Sequence, residues 1–334
     1  MNNEIMVSVL ITYYNQVDYI KTSLQSVLSQ KTDFIFEVLC GDDGSSDGTY
    51  EELLQWKKKY PNLCRVHRMP RDNDKKYEPI VRASNNRHNL LKHAKGRYVT
   101  FLDGDDYYTD KNKLQSEVTI LEKHPDCSAS CHPMRMVWKK GNHKSQYIGN
   151  ISDRIIRIKN TTYWASMWLP SEAFIFRNYY RGNEDRINRN LFDDNLITIY
   201  FVKYGDIIFM PNSMVDYLQH DDSSWNSRTE IQKAYVNMLL YQESKRVLPN
   251  MKWESFCRCQ QVMNILFRYR NKEIRISNSD HFIVNEKLYL DTLKYRTSNI
   301  WFKIFYLIKY FVPCHMNIVL SIINKCRRFN YRNV

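Results

Sequence analysis

The stretch "FEVLCGDDGSSDGTYEELLQWKKK", residues 36–59, carries the reading of the fold. A short apolar, β-prone run ends in a cluster of Gly, Asp and Ser, and a helix follows. Asp47 is the expected helix cap, Glu51 and Glu52 stand early, and Lys57, Lys58 and Lys59 stand late, as the helix dipole favours. Upstream, "VSVLIT" (7–12) reads as a buried strand, and Val17, Ile20, Leu24, Val27 and Leu28 then recur at helical spacing. Downstream come a strand "LCRVH" (63–67), a helix around residues 82–95, a strand "RYVTFL" (97–102) and a helix carrying Leu114, Val118 and Leu121. Strands alternating with helices predict a doubly wound α/β domain, with a mostly parallel sheet covered on both faces.

In such sheets ligands bind beyond the carboxyl ends of the strands, where the strand order switches. Two acidic stretches fall just past such ends: "CGDDGSSD" (40–47) and "LDGDD" (102–106). The chain has 49 Lys plus Arg against 36 Asp plus Glu, a formal net charge of +13, so these acids do not reflect an acidic protein. Asp103 and Asp105 are two residues apart and point the same way on an extended backbone, which suits them to share one hard cation. Mg2+ and Mn2+ are commonly held by one or two carboxylates plus substrate phosphates, and stabilise a phosphate leaving group. A solvated Asp-Gly turn is the alternative reading of "DGDD".

With 334 residues, 43% hydrophobic and 25% charged, the chain is long enough for two domains and has a globular composition. The 24 Tyr, 15 Phe and 7 Trp supply many rings for core packing or stacking. The start, "MNNEIMVSVLITYYN", has no basic leader or small-residue cleavage site, so no secretory leader is expected. The eight Cys show no paired CxxC spacing, which points to reduced thiols and a cytoplasmic location. "CSASCH" (Cys127, Cys131, His132) has the look of half a zinc site, but no second half follows. No basic motif with a known readout geometry appears, so nucleic acid is not an expected partner despite the charge.

Three segments in order, "VSVLITYYNQVDYIKTSLQSVLSQ", "EVLCGDDGSSDGT" and "HAKGRYVTFLDGDD", resemble the family 2 glycosyltransferases with the GT-A fold. The resemblance covers roughly residues 5–225. It implies that Thr12 and Tyr14 line a nucleotide-base pocket, Tyr14 stacking on uracil, and that Asp43 rather than Asp42 accepts the uracil N3 hydrogen. Arg87, in "NNRHN", takes the place of an arginine near the nucleotide, with His88 where the family has asparagine. The same resemblance gives Asp103 to the ribose and sugar region and Asp105 to a metal, Mn2+ or Mg2+. Asp106 either touches the acceptor or braces the loop.

Further on, "LFDDNLITIYFVKYG" (191–205) resembles the segment that carries the family's catalytic base, which makes Asp194 the expected base beside Asp193. The same residues also read as a helix start followed by a buried face. "VDYLQHDDSSWN" (215–226) implies a role for His220 at the metal or the diphosphate. "WASMWLPSEAFIFR" (164–177) looks like an acceptor wall, where Trp164 and Trp168 either stack on a sugar ring or pack a core.

The implied activity is inverting transfer of a sugar from a nucleotide-diphosphate donor, with UDP the expected nucleotide, to a glycan hydroxyl. The acceptor is expected to be lipid-linked, in synthesis of a bacterial capsule, exopolysaccharide or O-antigen. A binding or regulatory protein on the same fold is the alternative. Residues 1–225 are expected to form the catalytic domain and 226–334 a helical extension. Within the extension, about 299–330 mixes a dense apolar and aromatic run with Lys303, Lys309, Pro313 and His315. Those interruptions argue against a spanning helix and favour an amphipathic segment lying on the cytoplasmic face of the inner membrane, with a helix packed on the catalytic domain as the other reading.

Overall fold

The computed structural model describes residues 4–71, 79–138, 146–183, 193–219, 229–251, 254–255, 258, 273–275 and 281–283. Contacts divide the chain into two compact units, Met1–Thr229 with Val236–Arg258, and Glu230–Tyr235 with Cys259–Val334.

The first unit is built on an alternation of strands and helices: β1 (Ile5–Tyr13), α1 (Val17–Leu28), β2 (Ile35–Asp42), α2 (Thr49–Lys59), β3 (Cys64–Arg68), α3 (Pro79–His93) and β4 (Tyr98–Asp103). Then come β5 (Tyr107–Tyr108), α4 (Lys113–Lys123), β6 (Cys127–Cys131), β7 (Met134–Trp138), β8 (Gln146–Ile148), β9 (Ile156–Ile158) and α5 (Asn160–Ser166). A 3-10 turn (Ser171–Ala173), β10 (Phe174–Arg177), α6 (Asp194–Val202), β11 (Asp206–Phe209) and β12 (Val215–Gln219) follow, and α7 (Glu230–Val247) has its first six residues in the second unit.

Eight strands form the main sheet in the order β3-β2-β1-β4-β10-β6-β11-β9. The first four run parallel, as the sequence predicts. β10 is antiparallel to both β4 and β6, and β9 to β11, so the sheet is mixed in its second half. A second sheet, β5-β12-β7-β8, flanks it. The ion pair of Arg135 Nε and Nη2 with Asp216, at 2.7 and 2.5 Å, ties β7 to β12.

The central strands are apolar on both faces, as a sheet covered by helices requires: Val7, Val9, Leu10, Ile11, Val38, Leu39, Val99, Phe101 and Leu102 are all buried. One acid interrupts this run. Glu37 is buried on β2 but accepts hydrogen bonds from Ser8 Oγ at 2.7 Å and the Lys95 amide at 2.7 Å, and Arg65 pairs with it. Its charge is thereby satisfied and pins β1 to the turn before β4.

Asp47 acts one residue earlier than a simple cap. The N-cap of α2 is Gly48, in the left-handed region, while Asp47 accepts from the Thr49 amide at 3.0 Å and its hydroxyl at 2.6 Å. Cys40, Cys64, Cys127 and Cys131 are buried free thiols. Among the described residues no cluster of metal-ligating side chains is found at Cys127, Cys131 and His132 or elsewhere. His132 is instead a neutral core residue, pushed down to about 3 by burial and by Lys113.

In the second unit the described residues include an antiparallel strand pair, β13 (Glu273–Arg275) and β14 (His281–Ile283), where the sequence suggests only helix. Residues 299–330 lie outside the described residues. No described helix is long and apolar enough to cross a membrane.

Candidate active site

The strand order reverses between β1 and β4, whose neighbours are β2 on one side and β10 on the other. The parallel register sets Thr12 beside Asp103, at the carboxyl ends of both strands. Ligand crevices of open α/β sheets form at this kind of position. Thr12 Oγ1 donates to Asp103 Oδ1 at 3.1 Å, and Arg87 Nη2, from α3, donates to the same oxygen at 2.7 Å. Gly104 is required there: a Cβ would sit 2.2 Å from the Tyr13 ring and 2.6 Å from Gln16 Oε1.

On one side of the crevice lies the loop after β2. Asp42 is fully buried and turned inward, accepting from the amides of Gly44 at 3.2 Å and Ser45 at 3.1 Å, with Arg68 Nε at 3.3 Å. It shapes the loop. Asp43 is paired with two arginines that the sequence reading did not single out, Arg82 at 2.5 Å and Arg71 at 3.2 Å. Burial pushes the Asp43 carboxyl up, against the pull of both guanidiniums. Arg71 also lies over the exposed Tyr14 ring, 4.2 Å from its centroid, and donates to its hydroxyl at 2.6 Å. Tyr14, Arg71, Asp43 and Arg82 therefore form one connected wall. Asn15, at φ 51°, joins this loop to β1, through the Asn15 amide to Ser45 Oγ and the Ser46 amide to Asn15 Oδ1, both 2.9 Å.

On the other side acids gather. Asp105 is partly buried in the loop after β4. Asp106 is buried and accepts from the Leu218 amide of β12 at 2.8 Å, so it braces the loop, while its second oxygen has no hydrogen-bond partner. Asp193 caps α6 by accepting from the Leu196 amide at 3.0 Å, and Asp194 is the first residue of that helix. Ser171 Oγ donates to Asp194 Oδ1 at 2.8 Å. The helix-start reading of "DD" holds: Asp193 caps α6, and Ser171 holds Asp194 at the same end.

Glu172, which sequence reasoning passed over, joins this group. It is 1% exposed, and its Oε2 is buried without a hydrogen-bond partner. Burial, then Asp103 and Asp194, push its carboxyl well up. The same crowding acts on its neighbours: burial, then Asp194 and Asp105, raise Asp103 against the pull of Arg87, and burial, then Asp105 and Glu172, raise Asp106. Asp193 is pushed up to about 6 by burial and by Asp194. Arg87 feels the reverse; burial works against its charge, but Asp103, Asp194 and Glu172 outweigh that and keep it firmly cationic.

Trp164 is fully buried, bonds Ser255 Oγ through Nε1 at 2.8 Å and carries the Arg258 guanidinium 4.3 Å over its ring. It is a core residue, the second of the two readings the sequence offers. Trp168 is 44% exposed. His220 lies outside the described residues. His88, in the place of the family's asparagine, is buried on α3.

The donor set around Asp103 and Asp105 is all carboxylate, suited to a hard divalent cation. Among the described residues no three acidic, His or Cys side chains come close enough to hold an ion unaided. That fits a cation completed by substrate phosphates.

A mixed α/β sheet with this crevice at its switch point defines a nucleotide-binding class of fold. The chain belongs to glycosyl transferase family 2, whose profile matches residues 8–182. It is similar to Rv1520 of Mycobacterium tuberculosis, 27% identical over 226 residues, an alignment that covers 66% of this chain and 60% of that protein. It is also similar to a poly(ribitol-phosphate) β-glucosyltransferase of Bacillus spizizenii, 32% identical over 126 residues, 34% of this chain and 18% of that protein. Its fold matches that of Staphylococcus aureus TarS, solved with UDP-GlcNAc, at a TM-score of 0.54 and 20% identity over 77% of this chain and 74% of that one. The chain thus spans less than two thirds of the length of these sequence relatives.

Proposed function

We propose that the chain transfers a sugar from a UDP-sugar to a hydroxyl of a glycan acceptor, with inversion at the anomeric carbon. The observation that carries this reading is the convergence of Asp194, at the fixed end of α6, with Asp103 and Arg87 at the switch point. Tyr14 and Asp43 receive the base, and Thr12, Asp103 and Arg87 frame the ribose and sugar region.

Ser171 holds the Asp194 carboxylate by one oxygen. Asp194 takes the proton of the acceptor hydroxyl as that oxygen forms its bond to the anomeric carbon, and the bond from that carbon to the diphosphate oxygen breaks. The nucleoside diphosphate leaves with the electron pair. Placement in line matters more than base strength here. Asp105, with His220, would hold the divalent cation. When bound, it stabilises the negative charge that develops on the leaving diphosphate.

The acceptor is a surface glycan or its lipid-linked precursor. Support comes from the relative that acts on poly(ribitol-phosphate) and from the aromatic and basic run at 299–330, which suits the cytoplasmic face of a membrane. The test is Asp194→Asn. Sugar transfer is expected to fall ~10²–10⁴-fold while UDP affinity, read by calorimetry with Mn2+, stays within about twofold. Loss of UDP binding together with transfer would remove Asp194 from the role of base.

A further inference from the structure

A helix leaves its last carbonyls without partners inside it, and α5 ends at Ser166. One of those carbonyls, on Trp164, accepts from Arg258 Nη1 at 3.2 Å, and the carbonyl of Met167, the residue that closes the helix, accepts from the same nitrogen. A cation at this end also suits the helix dipole. The guanidinium lies 4.3 Å from the Trp164 ring centroid, and Trp164 in turn donates to Ser255 Oγ at 2.8 Å. Ser255 and Arg258 both come from beyond residues 8–182, the span of the family profile.

The other arm of the fork reaches the catalytic side. Arg258 Nη2 donates to Asn195 Oδ1 at 2.9 Å, and Asn195 directly follows Asp194 in the first turn of α6. Ser171 Oγ, a little further along the chain from Met167, donates to Asp194 Oδ1 at 2.8 Å. The segment from Met167 to Ser171 is therefore tied to Asp194 and Asn195 at both of its ends, by Arg258 at one and by Ser171 at the other. Exposed Trp168 lies inside that segment. A guanidinium is planar and holds its donors at fixed angles, so one side chain can set two backbones against each other, which an ammonium on a flexible stem does not do.

Resting on the transferase reading above, we propose that Arg258 is a positioning residue for the transfer step. It locks the segment that carries Trp168 to the helix start that carries Asp194, so that base and acceptor wall keep one geometry. Its action passes through Asn195 and the end of α5, and it falls on transfer rather than on nucleotide binding. The residues that set the acceptor side thus extend well past the matched span of the family.

The experiment is amide hydrogen exchange of the full chain, read by mass spectrometry on two peptides. One covers the Met167 amide, which bonds Tyr163 O, and the other covers the Leu196 and Ile197 amides, which bond Asp193. Arg258→Ala is expected to speed exchange ~10-fold or more in both, as loss of hydrogen bonds from a charged group implies, with β1 peptides unchanged. Arg258→Lys keeps the charge at the α5 carbonyls but lacks the fork, so it should hold the α5 end and still release α6. Asn195→Ala cuts the α6 arm alone; it should release α6 only, and it tests the link even if Arg258→Ala does not fold. UDP affinity with Mn2+, read by calorimetry, is expected to stay within about twofold in every variant. In all three variants kcat for UDP release from UDP-glucose, UDP-galactose or UDP-N-acetylglucosamine, with water as acceptor, should fall ~10–100-fold at an unchanged KM. Faster exchange confined to the α5 end, or spread evenly over all peptides including β1, makes Arg258 a structural residue and overturns the proposal. A released α6 with native kcat overturns it as well. Failure of the native chain to bind UDP is a separate result, which overturns the transferase reading and this role with it, whatever the exchange pattern.

Discussion

Two acidic loops, built from nearly the same letters, have opposite electrostatics. In the loop after β2, Asp42 accepts from backbone amides and pairs with Arg68, and Asp43 pairs with Arg71 and Arg82. In the loop after β4, Asp103 shares Arg87 with a crowd of carboxylates, and Asp106 keeps an unpaired oxygen. The first loop has arginines from β3, the turn after it and α3 set against its acids. In the second, Asp103 leans on Arg87, and burial pushes the Asp103 and Asp106 carboxyls up. Glycine-rich acidic turns are therefore not one signal; what distinguishes them is which arginines the fold delivers to each.

The strongest way to break this contrast is through the loop after β4. Asp105→Asn is expected to reduce sugar transfer by ~10³-fold and to abolish its dependence on Mn2+, since metal stabilisation of a leaving group is worth several kcal/mol. Transfer by that variant still stimulated fully by Mn2+ would show that the ion is held elsewhere. A second prediction separates framework from site on the acceptor side. Trp164→Ala should destabilise the fold by ~3–5 kcal/mol in denaturant unfolding, whereas Trp168→Ala should cost less than about 1 kcal/mol. Equal costs would put Trp168 in the core as well.

The smallest effect concerns pH. Asp193 is raised in the folded chain from the ordinary value near 4 to about 6, so between those values the native state binds more protons than the unfolded one. Stability from this group is therefore full below pH ~4 and lost as pH rises toward 6. Asn keeps the cap on Leu196 but cannot ionise, so Asp193→Asn should fall less in thermal stability between pH 4 and 6 than the native chain does. Parallel pH profiles for the two would remove the burial of Asp193 as their cause.

Much of the first half of the fold was legible because its signals are local. The strands β1 to β4 are apolar runs bounded by turn residues, and the helices between them show their spacing within a dozen residues. The antiparallel insertion of β10, and the short β6 to β9, gave no comparable period; β8 and β9 have three residues each. Within the site, Thr12, Asp103 and Asp194 were reachable through motif order. Arg71 and Arg82 were not, because their partner Asp43 lies 28 and 39 residues away and nothing nearby announces the pairing. Glu172 did leave a trace. It is the one acid in "WLPSEAFIFR", and a charge inside so apolar a stretch is worth a question, since such residues are seldom buried without a partner.

Asp47 has a wider reach than its position suggests. Besides Thr49, it accepts from the Val17 amide at 3.1 Å, so one exposed carboxylate fastens the first turn of both α1 and α2. Two helices that share a fastening cannot fray independently at that end. The amides of Val17 and Thr49 belong to one opening event, and the base wall, strung between those helices by Asn15 and Ser45, keeps its shape only while that event is rare.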